Sequence, residues 1–358
     1  MTEPRVVKGM PSVELSREEF ERRFRERFYD PAFESLEREL APLVEQAWRS
    51  YIDYHKSPRK RSAGPGFADP AFELPVEWLA ARAAIAAAEQ RHRSPGPSRI
   101  LLINASARTD QSCPGEMSKT FRLARIAQRE IEQQPSFEVD LLDLSRLVSE
   151  YGRVIFPCKA CVSTAQPLCH WPCSCYPNHA LGQTQDWMNE IYPRWVAAHG
   201  VMIVTPVNWY HVPSVLKLMI DRLVCADGGN PDPTSTRGKD PARAKQIELA
   251  GWGYPKHLAG RAFAVVAHGD AAGVGNVRVA LCDWLSSMDL HQAGPSAALD
   301  RYLGYYAPYA TSHDDLDRDT DLQAEVRNAA LSLVETVRQI RSGQWQAPDA
   351  GLPRPRQK

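Results

Sequence analysis

Arg99-Ile-Leu-Leu-Ile-Asn104, followed by Ala-Ser-Ala-Arg-Thr-Asp-Gln-Ser112, is the stretch whose reading decides the fold. A short uninterrupted apolar run that stops at turn-forming residues is what a strand buried on both faces looks like. Working outward, the pattern repeats. Residues 117–133 read as a helix and Phe137–Asp143 as a second strand. Residues 187–199 form a helix that leads into the strand Gly200–Thr205, and residues 213–225 form the next helix. Ala262–His268 is a fourth strand, residues 274–288 a helix, Leu290–Ala298 a weaker fifth strand, and residues 321–341 a closing helix. Strands alternating with helices imply a parallel sheet covered on both faces. Five such units suit the doubly wound order 2-1-3-4-5, in which ligands bind beyond the carboxyl ends of the strands near the switch point.

N-terminal to this region the texture is different. Ser16 is suited to cap a helix whose first turn carries Glu18 and Glu19. Phe24, Phe28, Leu36, Leu40, Leu43 and Trp48 then recur at roughly helical spacing up to Tyr54. Ser57–Pro70 is rich in Pro, Gly and basic residues and reads as a linker, and Pro75–Arg91 is Ala-rich and helical. A second break, Ser94-Pro-Gly-Pro-Ser98, sets the domain boundary. The expected division is a helical extension over residues 1–97, an α/β domain over 98–343, and a loose tail over 344–358. The α/β domain carries a Cys-rich insertion, 151–178, and a Gly/Pro-rich insertion, 226–260.

The totals narrow the function. The chain has 358 residues, 43% hydrophobic and 24% charged, with 43 basic and 43 acidic side chains. A zero net charge argues against a nucleic-acid coat or a polybasic membrane anchor. No run of about 18 apolar residues is present to span a bilayer, and Met1–Pro11 lacks the apolar centre of a secretory signal. A cytoplasmic protein with neither a membrane nor a nucleic-acid partner is expected, its eight cysteines mostly reduced.

Two loops carry the chemistry. After the first strand, Asn104–Ser112 and then Ser118-Lys-Thr120 offer backbone N–H groups, hydroxyls and a helix N-terminus to an anion. Ser106, Arg108, Ser118 and Thr120 are the candidate phosphate contacts, with Arg108 as a charged clamp. The spacing is no G-x-G-x-x-G dinucleotide fingerprint. After the third strand comes Thr205-Pro-Val-Asn-Trp-Tyr-His-Val-Pro-Ser-Val-Leu-Lys217, then Asp221-Arg222.

This segment resembles the "TPVYW…LK…DR" stretch of the NADPH-dependent FMN reductase family, a branch of the flavodoxin-like superfamily. Asn104-Ala-Ser-Ala-Arg108 is similar to that family's "GSxR" loop, with Asn and Ala where Gly often stands, and His268-Gly-Asp270 falls where its third flavin loop lies. The resemblance implies a flavodoxin-like fold, bound FMN, NADPH or NADH as electron donor, and a homodimer or homotetramer. It implies a small acceptor such as a quinone, nitro compound or flavin. Pro206, Val207, Asn208, Trp209 and Tyr210, with His268, Gly269 and Asp270, would then hold the flavin ring. Backbone amides would meet its polar edge and the two aromatic residues would cover its faces. No separate catalytic residue is nominated, because the cofactor carries the reaction.

Five cysteines fall between Cys158 and Cys175. Thiolates so clustered suit a soft metal. Cys158-Lys-Ala-Cys161 resembles the opening of the cysteine motif of iron–sulfur flavoproteins, but position 164 is Thr and the next cysteine is Cys169. Cys158, Cys161, Cys169 and Cys173 are the candidate ligands of an iron–sulfur cluster. Zinc held by four cysteines, or by three with His170, is an alternative, as are thiols without metal or a Cys158–Cys161 disulfide. A metal would favour an electron-transfer flavoprotein serving a protein partner over a reductase of small molecules. Arg237-Gly-Lys239 does not complete a P-loop. The aromatic stretch Asp300–His313 is a candidate flavin cap or interface.

Overall fold

The computed structural model describes residues 10–11, 13–113, 115–270, 272–305, 308, 311–347 and 351–352. In chain order its elements are α1 (Arg17–Arg25), α2 (Glu37–Ile52), β1 (Lys60–Ser62), β2 (Glu73–Pro75), α3 (Val76–Arg93) and β3 (Ser98–Asn104). Then come α4 (Lys119–Glu132), β4 (Phe137–Asp143), α5 (Arg146–Ser149), α6 (Met188–Ala197), β5 (Gly200–Pro206), α7 (Ser214–Arg222), α8 (Val224–Gly228) and α9 (Pro241–Leu249). The last are β6 (Ala262–Gly269), α10 (Val274–Ser287), β7 (His291–Gln292), β8 (Ala298–Tyr302), α11 (Ser312–Arg318) and α12 (Thr320–Arg341). Two compact units emerge. Met1–Ala83, Phe156–Asn189 and Gly228–Pro255 form one, and Ala84–Ile155, Glu190–Asp227 and Lys256–Lys358 form the other.

The second unit is the flavodoxin-like one. Its parallel sheet runs β4-β3-β5-β6, with β7 and β8 both pairing with β6 on the far side. This is the 2-1-3-4-5 order, with one difference from the sequence expectation. The fifth place is shared by two short strands, β7 against Ala262–Phe263 and β8 against Val265–Gly269. The cause is local: Gly294 adopts φ +87°, and a 3-10 turn over Pro295–Ala297 separates the two. The turn interrupts the extended run here, and Pro295 brings no N–H to a ladder that would continue it.

The apolar runs are buried because both faces of the sheet are covered. Ile100 and Leu102, Met202 and Val204, and Ala264 and Val266 point to one face, where they pack with Leu123, Ala127 and Ile131 of α4 and Val326, Leu333 and Val337 of α12. Leu101, Ile103, Val201, Ile203, Phe263 and Val265 alternate to the other face and are equally buried. Trp195 of α6 and Trp284 of α10 meet edge to face at 6.0 Å. The Arg194 guanidinium clasps Asp140 of β4 through both carboxylate oxygens at 3.0 and 3.1 Å.

The first unit is built from three stretches far apart in sequence. Aromatic side chains join α1 to α2, with Phe20 4.9 Å from Tyr51 and 5.4 Å from Trp48. Residues 57–70, expected as a linker, contain β1, which pairs antiparallel with β2, and Phe67 packs 6.3 Å from Trp78. Hydrogen bonds sew the stretches together. The Trp78 indole donates to the Pro172 carbonyl at 2.8 Å, Ala68 N–H to Asp232 at 2.7 Å, Asn230 N–H to the Cys169 carbonyl at 2.6 Å, and Gln166 N–H to Glu248 at 2.9 Å. Residues 156–189 and 228–255, which hold most of the Cys-rich and Gly/Pro-rich segments, therefore fold with residues 13–83, whereas residues 84–97 fold with the sheet. The sequence division, drawn at the Pro/Gly break, differs on both points. Such packing is tertiary and leaves no periodic trace in any one stretch.

Candidate functional site

The sheet brings the carboxyl ends of β3, β5 and β6 side by side, with Asn104 in register with Val204 and Pro206 with His268. A cavity of about 180 Å³ opens there, lined by Ser106, Ala107, Arg108, Ser118, Lys119, Thr120, Pro206, Val207, Asn208, His268, Gly269, Asp270 and Leu303. Ten of the twelve nominated flavin residues are thus assembled at one place.

The first loop is shaped by its own side chains. Asn104 is buried and its amide donates to Asp143 of β4 at 2.8 Å, while Asp143 also accepts from Ser145 N–H at 3.0 Å. The Ser106 hydroxyl accepts the Arg108 N–H at 3.1 Å, turning the chain. Ser118 caps α4, its hydroxyl accepting from Phe121 N–H at 3.0 Å. The first N–H groups of a helix have no partner within it and carry partial positive charge. The hydroxyls of Ser106 and Ser118, the Arg108 guanidinium, the Lys119 ammonium and this helix end together form a donor set that matches a phosphate dianion.

Thr120 and His268 lock the cradle to the sheet. The Thr120 hydroxyl lies 2.9 Å from His268 Nε2 and both are buried. Burial, with the nearby Lys119 cation adding to it, pushes the imidazole down to about 3, so His268 is neutral. Burial also lowers the Lys119 ammonium, against the opposing pull of Asp270 and Asp315. Gly269 is tightly seated. A Cβ there would lie 3.3 Å from the Val207 Cβ and 3.4 Å from its nitrogen.

The second loop departs from expectation. Val207 N–H donates to the His268 carbonyl at 2.8 Å, and Asn208 N–H to the His211 carbonyl at 2.8 Å. These two amides are consumed by the fold and cannot meet a flavin edge. Asn208–His211 closes a tight reversal whose central residues, Trp209 and Tyr210, have φ of 48° and 70°. Left-handed backbone costs a side-chain-bearing residue about 1–2 kcal/mol, and such strain gathers at functional sites. Trp209 is 90% exposed and Tyr210 60% exposed. They stand at the tip of the turn and do not line the cavity.

Lys119, Ala107 and Leu303 line the cavity without having been nominated. Lys119 was legible, lying between two nominated residues at a helix start. Leu303 was not, because only the parallel pairing of β8 carries it to the end of β6, where its N–H donates to the Gly269 carbonyl at 2.8 Å. Of the aromatic stretch 300–313, residues 306, 307, 309 and 310 lie outside the described residues. Tyr305 is described, and the Lys119 ammonium sits 5.4 Å from its ring centroid.

The expected metal centre finds no support. Among the described residues, no group of three or more His, Cys, Asp or Glu side chains is disposed to hold a metal ion, and Cys158, Cys161, Cys169 and Cys173 do not assemble as ligands. None of the eight cysteines is in a disulfide, so Cys158 and Cys161 are not bridged. The physical reason lies in two neighbours. The Lys239 ammonium sits 3.5 Å from Cys161 Sγ, occupying with its own positive charge the side a cation would take. His170, the alternative zinc ligand, has both ring nitrogens engaged, Nδ1 with Ser174 at 2.6 Å and Nε2 with Thr236 at 2.9 Å.

A doubly wound sheet of this order, with an anion cradle beyond strands β3, β5 and β6, defines a flavodoxin-like mononucleotide-binding protein. The chain belongs to the NADPH-dependent FMN reductase family, whose profile matches residues 98–303, more than half its length. It is an NAD(P)H-dependent FMN oxidoreductase. Solved structures with which it shares similarity include RosB, determined with 8-demethyl-8-formylriboflavin-5'-phosphate bound (15% identity, 69% of this chain and 82% of that one, TM-score 0.47). Others are the apo NADH:FMN oxidoreductase EmoB (16% identity, 72% and 97%, TM-score 0.36) and an azoreductase from Bacillus anthracis str. Sterne (12% identity, 64% and 99%, TM-score 0.35). No curated protein matches the chain. Among the described residues, no helix is long and apolar enough to cross a membrane.

Proposed function

We propose that the cavity beyond β3, β5 and β6 seats the phosphate end of FMN and that the enzyme passes electrons from a nicotinamide nucleotide to a small planar acceptor. The observation that carries this reading is the convergence of Ser106, Arg108, Ser118 and Lys119 at the N-terminus of α4. At about 180 Å³ the cavity falls below the roughly 300–1,000 Å³ of pockets that enclose a whole small ligand. Ser106, Arg108, Ser118 and Lys119 would hold the phosphate end there, and Pro206–Asn208 would border the rest of the cofactor. The flavin would supply the redox chemistry when bound, and the chain's own residues position it.

The residues hold and orient. Arg108 and Lys119 would neutralise the phosphate and Ser106 and Ser118 would fix its oxygens, while Gly269 keeps the end of β6 packed close against Val207. With the Val207 and Asn208 amides consumed, polar contact to the ring edge falls to the Asn208 side chain and to Asp270. Trp209 and Tyr210, held exposed at the turn, offer aromatic faces to an incoming quinone, nitro compound or second flavin. Titration of the chain with FMN and with riboflavin tests the assignment, followed by anaerobic addition of NADPH and then acceptor. Tighter binding of FMN, bleaching by NADPH and recovery with a quinone are expected. Equal affinity for riboflavin would overturn the phosphate cradle.

A further inference from the structure

The sulfurs of Cys161 and Cys175 are 3.3 Å apart, although the two residues stand fourteen positions apart in sequence. A bonded pair stands at about 2.05 Å, so the two sulfurs have little more than about one ångström to close. The two thiols are held facing by separate anchors. Cys161 opens a 3-10 turn, Cys161–Ser163, entered through Ala160 at φ +50°. Its neighbour Leu168 packs with Ala165 and with Ala244 of α9. Cys175 is followed by Tyr176, whose hydroxyl donates to the Pro157 carbonyl at 2.7 Å.

A cation completes the group. Lys239 Nζ lies 3.5 Å from Cys161 Sγ and 3.5 Å from the Leu168 carbonyl oxygen. Lys159 Nζ stands 5.0 Å from the centroid of the Tyr176 ring, beside the same thiols. Thiolate, not thiol, is the nucleophile, and an adjacent lysine favours it. The ammonium touches Cys161, which marks that sulfur as the attacking one and Cys175 as the resolving one.

We propose that Cys161 and Cys175 form a redox-active dithiol that reacts with small disulfides, a site separate in chemistry from the flavin reaction. The Cys161 thiolate attacks one sulfur of a disulfide RSSR, forming Cys161–S–S–R and releasing RS⁻. The Cys175 thiol then gives its proton to a thiolate, and its sulfur attacks Cys161 Sγ. The Cys161–Cys175 bond forms and the second RS⁻ leaves and is protonated. Two protein thiols are oxidised and RSSR is reduced to two RSH. The hydrogen bond between the two sulfurs, with the Lys239 ammonium adding to it, lowers the Cys161 thiol, whereas the same bond and burial raise Cys175. That division of character is what an attacking and a resolving thiol require.

The full-length chain is equilibrated anaerobically in mixtures of reduced and oxidised glutathione, trapped by alkylation, and mapped by peptide mass. The expected result is one two-electron transition yielding the Cys161–Cys175 linked peptide. Cys175→Ser should instead accumulate glutathione on Cys161, and Cys173→Ser should leave the transition in place. Lys239→Met should slow formation of the bond roughly tenfold, with far-UV circular dichroism unchanged. Failure of Cys161 and Cys175 to link at any glutathione ratio would overturn the proposal, as would linkage that runs through Cys173 or Cys169. Because no step uses FMN or NADPH, failure here leaves the flavin assignment standing, and the reverse.

Discussion

Replacing Thr120 by valine tests how the cradle is held. The two side chains have nearly the same shape, so the change removes a hydroxyl and little volume. Thr120 and His268 are both buried, and their 2.9 Å contact is the bridge between α4 and β6. In a protein without flavin, His268 Nε2 loses its partner in a dry site, which costs about 1–3 kcal/mol. With flavin the effect has a second part. The neutral imidazole has one N–H. If the Thr120 hydroxyl is to donate to a phosphate oxygen, Nε2 must carry that proton and the hydroxyl must accept from it. Valine then removes a hydrogen bond to a charged group, worth about 1.5–3 kcal/mol, or roughly tenfold to a hundredfold in FMN affinity at 1.4 kcal/mol per tenfold. Urea unfolding of the apo chain reads the first part and fluorescence titration with FMN the second, with Thr120→Ser as the variant that keeps the hydroxyl. A Thr120→Val protein with unchanged urea midpoint and FMN affinity within twofold of the parent would refute the reasoning.

Two further outcomes are expected. Gly200→Ala puts a Cβ 2.8 Å from Val337 Cγ2 and 2.9 Å from Ile100 Cδ1, so overpacking should cost about 1–3 kcal/mol in urea unfolding. FMN affinity should be unaffected, since Gly200 begins the strand whose far end carries the site. Stability should also fall with acid in a defined window. His199 Nδ1 accepts the Arg99 N–H at 2.9 Å and its ring stacks on His92 at 4.7 Å, so its neutral form is built in. Burial lowers both imidazoles to about 4 and His268 to about 3. Groups lowered on folding stabilise fully above their unfolded value near 6.5, and that contribution is lost as pH falls toward the folded values. Each contributes a slope of at most about 1.4 kcal/mol per pH unit, reduced for His92 and His199 by solvent screening. Urea midpoints should therefore drop between pH 6.5 and 5, above the range where carboxylates protonate, and a flat profile there would contradict the assignment.

The strands and their order were legible because burial on both faces of a parallel sheet demands uninterrupted apolar runs, and Arg99–Asn104, Gly200–Pro206 and Ala262–Gly269 supply them. The first-loop residues proposed to hold a phosphate could be picked out along the chain for a related reason. Ser106, Arg108, Ser118 and Thr120 lie within one strand–loop–helix unit, so local chain geometry alone brings them together. What tertiary structure decided is whatever depends on partners distant in sequence. Asn104 meets Asp143, and Thr120 meets His268, through strand register. Trp209 and Tyr210, aromatic and expected to cover the flavin, stand exposed because the Asn208–His211 reversal turns them outward in left-handed backbone. The cysteines suggested a metal by spacing, but spacing carries no sign of charge. Lys239, nearly eighty residues downstream of Cys161, takes the cation's place only because α9 and the 3-10 turns near Gln166 pack together. Local chemistry is written along the chain, whereas the electrostatic company a side chain keeps is set by the long-range packing that folds three separate stretches into one unit.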